Sequence, residues 1–92
     1  DTGISGNAAK SVGEKLKIIG KSHQVLCITH QPSIAAKGDV NFYINKDSQD
    51  GRTFTKVRKL SEEEIINEVA RIANGEITEI ARKHAIELRK TA

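Results

Sequence analysis

Val25, Leu26, Cys27 and Ile28 form an unbroken apolar run that stops at Thr29 and His30. A run this short, bounded by polar residues, predicts a strand buried on both faces over 24–29. Pro32 follows His30 by two residues and turns the chain away from that strand. With Pro at its first position, a short helix is predicted over 32–37, ended by Gly38. Upstream, Ala8, Ala9, Val12, Leu16 and Ile19 recur at helical spacing, with Asn7 as a cap and Gly20 as a stop. Residues 1–6, DTGISG, read as a loop. Loop, helix and buried strand in that order suggest the second half of a β-α-β unit, whose first strand would precede Asp1.

Downstream the period changes. Val40, Phe42 and Ile44 alternate with Asn41, Tyr43 and Asn45, the pattern of a half-buried strand. A polar turn, KDSQDG at 46–51, leads to a second strand from Arg52 to Leu60, so a β-hairpin is predicted over 40–60. Ser61 and Glu64 form a capping box ahead of Ile65, Ile66, Val69, Ala70 and Ala73. Asn74-Gly75 breaks that helix. Ile77, Ile80, Ala81, His84, Ala85 and Leu88 supply the stripe of another, giving two helices over 61–91. The fold class is α/β: a buried parallel strand, an edge hairpin and C-terminal helices.

Composition bounds this picture. The chain has 92 residues, with 37% hydrophobic and 3% aromatic, which makes one domain with a thin core. It contains no Met and opens on Asp1, so a piece of a longer protein is the simplest expectation. A net charge of +3 falls short of a nucleic-acid-binding signature, although it favours approach to a polyanion. The single Cys27 excludes an internal disulfide framework and fits a reducing compartment. No apolar stretch approaches the ~20 residues of a membrane span. The expected location is the cytoplasm.

Candidate chemistry is sparse. His23, Cys27 and His30 do not suit a metal, because on a strand 27 and 30 point to opposite faces. Cys27 is expected to be a buried structural thiol, and His84 a packed or partly exposed histidine. Glu62, Glu63 and Glu64 complement a helix dipole. Arg52, Lys56 and Arg58 share one strand face and suit either DNA phosphates or a charged edge that discourages aggregation. His30 is the strongest functional candidate. A neutral imidazole at the end of an interior strand can donate one hydrogen bond to a phosphate oxygen while the protein holds its other nitrogen.

DTGISG, one helix, and then QVLCITHQPSIAAKGD resemble the C-terminal part of the RecN family, bacterial double-strand-break repair proteins that are ABC-type ATPases related to SMC proteins. The resemblance continues through DGRTFTKVRKLSEEE and EVARIANGEITE to HAIELRK. It implies the C-terminal part of an ABC/SMC-type P-loop ATPase head. It also implies that Asp1, Thr2, Gly3, Ile4, Ser5 and Gly6 are a D-loop crossing a head-to-head homodimer, and that His30 is the switch histidine of an H-loop, near the γ-phosphate and the attacking water. ATP and Mg2+ are the implied cofactors of the intact protein. DNA is its implied partner and the nucleoid its implied place.

Ser5 stands where many ABC ATPases carry Asp, although RecN-like sequences share the Ser. Gln31 replaces an expected Leu, and Asn74-Gly75 an expected Gly-Gly. The chain has no GxxxxGK[ST] loop and no ABC signature motif. By itself it is expected neither to bind ATP tightly nor to hydrolyse it. The same residues are compatible with two alternatives. One is a stand-alone α/β module that binds DNA or a protein through the basic hairpin. The other is self-pairing through the edge of strand 24–29.

Overall fold

The Ser61 hydroxyl accepts from the Glu64 backbone N–H at 3.2 Å, and the Ser61 N–H donates to Glu64 Oε1 at 3.0 Å. This reciprocal pair closes the capping box and starts a helix where the sequence predicts one. The structure, a computed structural model, describes residues 6–90. The D-loop reading of Asp1 to Ser5 lies outside the described residues; Gly6, expected in that loop, and Asn7, expected as the cap, instead lie in the first turn of the first helix.

The elements are α1 (Gly6–Ile19), α2 (Pro32–Ala35), β1 (Phe42–Gln49), β2 (Arg52–Lys59), α3 (Glu62–Asn74) and α4 (Glu79–Lys90). The strands form one antiparallel ladder, from Phe42 opposite Lys59 to Gln49 opposite Arg52. The predicted polar turn therefore shrinks to Asp50 and Gly51. Both have positive φ, at 50° and 75°, as a two-residue turn matched to strand twist requires.

The core lies between α2, α3 and α4. Leu60, Ile65, Ile66, Val69 and Ala70 pack with Ala36, Ala81 and Ala85. Tyr43 is the hairpin side chain that reaches this cluster. α4 begins where Thr78 Oγ1 accepts from the Ala81 N–H at 3.1 Å. Its buried stripe is narrower than the periodicity predicts. Ala81 and Ala85 are buried, but Ile77 and Ile80 are 53% and 82% exposed, and His84 is exposed. Two alanines let α4 approach α3 closely and Leu88 packs at the edge of the core, while Ile77 and Ile80 stay exposed.

α1 shows the same effect. Ala9 and Gly13 are its buried residues, while Val12 and Ile19 are exposed. α1 packs on α2. A Cβ at Gly13 would stand 2.9 Å from the Ser33 carbonyl oxygen, so the close approach requires glycine there.

The predicted buried strand is the main correction. Residues 24–30 have no regular structure, with Leu26 and Ile28 88% and 87% exposed. Cys27 is exposed as well, not a buried thiol. An interior strand needs a ladder partner at each edge and a packed layer on each face. The described residues supply only β1 and β2, which pair with each other.

Candidate functional site

Thr29 and Pro32 fix the backbone on either side of His30. Thr29 Oγ1 accepts from the Gln31 N–H at 2.9 Å. Gln31 is the N-cap residue of α2, in extended conformation, and its carbonyl accepts from Ile34 at 3.1 Å and Ala35 at 2.9 Å. Pro32 has no N–H to leave unsatisfied at the helix start. His30 is thus an exposed side chain on a locally fixed turn. It lines an open groove of about 1040 Å³, walled by residues 23–30, the base of the hairpin and α3.

Glu68 and Arg71 stand on the α3 side of this groove. Arg71 Nε donates to Glu68 Oε1 at 3.0 Å, and that carboxylate holds the guanidinium above its ordinary pKa. No group of three His, Cys, Asp or Glu side chains that could hold a metal ion occurs among the described residues. The Ser22 hydroxyl engages His23 Nδ1 at 2.9 Å. His30 contributes one imidazole at the rim of a mainly apolar groove.

The ladder places Arg52, Lys56 and Arg58 on the hairpin face that carries half-buried Tyr43, Asn45 and Asp47. Lys56 Nζ lies 3.1 Å from Asp47 Oδ2, and Arg58 pairs with Glu64. Arg52 has no ion-pair partner among the described residues. Glu64 sits below the usual carboxylate pKa, first because the Ser61 N–H donates to it and then because of Arg58. Asp39 is likewise lowered, by Lys17 Nζ at 2.5 Å.

Two residues escape sequence reasoning. Arg89 reaches from the end of α4 to Glu62 and to the carbonyls of Ala36 and Gly38. Lys37 is buried at 7% exposure, and desolvation lowers its pKa. Its stem lies over Gly13. A helix-terminal Arg and a Lys next to Gly look like ordinary surface residues until the tertiary contacts are known.

No family model matches the chain. Individual relatives do. The chain is 46% identical over 93 residues to DNA repair protein RecN of Bacillus subtilis, covering 100% of this chain and 16% of that protein. It is 47% identical over 89 residues to DNA repair protein RecN of Halalkalibacterium halodurans, covering 96% of this chain and 16% of the relative. The RecN of Vibrio cholerae is 43% identical over 89 residues, with the same two coverages. The chain thus spans 16% of the length of these curated relatives. On these identities it belongs to the RecN family, as a C-terminal segment.

Proposed function

We propose that this segment is part of an ABC/SMC-type P-loop ATPase head in a DNA double-strand-break repair and recombination protein, with His30 as its switch histidine. The observation that carries this reading is the exposed run Val25–Ile28, which ends on a backbone locked by Thr29 and Pro32. An apolar run so exposed, irregular among the described residues, suits a segment that becomes a strand when a sheet is present to receive it. Strands from other parts of the RecN chain would cover Leu26 and Ile28. His30 would then stand at the carboxyl end of an interior strand, where open α/β sheets place ligands.

In that setting His30 positions a phosphate. One ring N–H donates to a phosphate oxygen and the other nitrogen is held by the protein, so the imidazole contributes orientation and charge stabilisation. Bound ATP with Mg2+ supplies the transferable phosphoryl group. Asp1 to Ser5 form the D-loop across a homodimer of heads, whose closing and opening govern how the protein holds DNA. The chain alone does not hydrolyse ATP, because the phosphate-cradling loop lies elsewhere in the protein. The working compartment is the cytoplasm, at the nucleoid.

The test is His30→Ala in the full-length RecN protein that carries this segment. Turnover falls about 100-fold or more, the cost of removing one well-aimed donor, while ATP affinity stays within a few-fold. Unchanged turnover removes His30 from the mechanism.

A further inference from the structure

The hairpin extends well past the groove at its base. The groove stops at Ile44 and Val57. Beyond them the ribbon reaches a tip at Asp50 and Gly51, and every residue of β2 is exposed. Tyr43, near the base, is the hairpin side chain in contact with the core. The distal ribbon is therefore an arm that the helical core does not need for packing.

Its charge is mainly positive and is spread over both faces, with Arg52, Lys56 and Arg58 on one and Lys46 and Lys59 on the other. Residues 42–59 carry the cations Lys46, Arg52, Lys56, Arg58 and Lys59 against the carboxylates Asp47 and Asp50. Lys56 and Arg58 are ion-paired. Lys46, Arg52 and Lys59 make no ion pair among the described residues. On the Lys46 face of the distal arm, Ser48, Thr53 and Thr55 add exposed hydroxyls. Ammonium, guanidinium and hydroxyl groups are the ones that contact nucleic-acid phosphates.

We infer that the distal hairpin is a duplex-DNA-binding ribbon, with Lys46 and Arg52 as phosphate contacts on either side of its tip. A two-stranded ribbon fits the roughly 12 Å major groove of B-DNA. Single-strand binding needs a series of stacking aromatics, and the distal arm offers Phe54 alone. The contacts are to the backbone, so they position the protein without reading sequence. The inference rests on the proposed repair function for the identity of the polyanion, and on the hairpin for its location.

The experiment uses the full-length RecN protein carrying this segment, a fluorescein-labelled 30-base-pair duplex of mixed sequence, and a salt titration. The Lys46→Ala/Arg52→Ala variant lowers the slope of log K against log salt by about 2, and weakens binding roughly 30-fold at 0.15 M salt if the curves converge at 1 M. A Lys21→Ala/Lys83→Ala variant removes the same charge from exposed helix and loop positions and leaves the slope within about 0.5 of the parent. Both variants keep the parent melting curve. An unchanged slope in the hairpin variant overturns the inference. So does an equal loss in both variants, which marks a general field, or a loss confined to a 30-base single strand. Failure here leaves the ATPase reading standing, because that reading is judged by the turnover of His30→Ala.

Discussion

Arg89 at the end of α4 grips Glu62 at the start of α3 through two parallel bonds, Nε to Oε1 at 2.8 Å and Nη2 to Oε2 at 3.0 Å. Its remaining Nη1 donates to the carbonyls of Ala36 at 2.9 Å and Gly38 at 3.2 Å. One side chain therefore ties α4 to α3 and to the chain leaving α2. The Arg89 side chain is 17% exposed and the Glu62 side chain 64%, so the carbonyl contacts carry more of the stabilisation than the ion pair. Arg89→Ala lowers unfolding stability by about 2 kcal/mol, the scale of hydrogen bonds to a charged group. Arg89→Lys recovers less than half of that, because an ammonium cannot reproduce the fork. Urea denaturation of the two variants measures both.

The C-terminal half is largely legible in the sequence, and the reasons are local. The Ser61–Glu64 box, the Gly75 stop and the alternation of Phe42 to Asn45 depend on residues within a few positions of one another. What the sequence concealed depends on distant partners. The face that α4 buries is set by Ala81 and Ala85 meeting α3, and the face of α1 by Gly13 meeting Ser33. Neither can be read from periodicity when Ile80 and Val12 are larger and fall on the same stripe. The run 24–29 reads as buried because Val25–Ile28 are apolar, yet burial needs neighbours that the described residues do not contain. The character of His30 as a candidate was visible in its spacing to Pro32. The ion pairs that engage Lys56 and Arg58 were not.

Gly13→Ala should be destabilising despite the better helix former. The new methyl would stand 2.9 Å from a backbone oxygen that cannot swing aside. Overpacking costs about 1–3 kcal/mol, against a gain of about 1 kcal/mol in helix propensity. The expected result is a lower melting temperature with faster amide exchange in α1. A raised melting temperature would mean that α1 does not pack on α2 through this contact.

Stability should fall on acidification below the ordinary carboxylate range. Glu64 and Asp39 both have folded pKa values below their ordinary 4.5 and 3.8. A depressed folded pKa contributes stability above the unfolded value, and that contribution is lost as pH drops through the folded one. Urea midpoints should therefore hold between pH 5 and 7 as far as these two groups decide them, and decline below about pH 4.5. Glu64→Gln should decline less steeply, and an identical slope would remove Glu64 from the acid transition.

The central proposal is that residues 24–29 pair as a strand with partners elsewhere in the RecN chain, which puts His30 just past its end. Amide hydrogen exchange at Leu26, Cys27 and Ile28 tests this most directly, compared between the 92-residue chain and the full-length protein. The account predicts exchange at near-unprotected rates in the short chain and protection by about three orders of magnitude or more in the full-length protein, as for core strands. Equally fast exchange in both would contradict it. The run would then be a surface segment, and His30 would have no sheet from which to reach a phosphate.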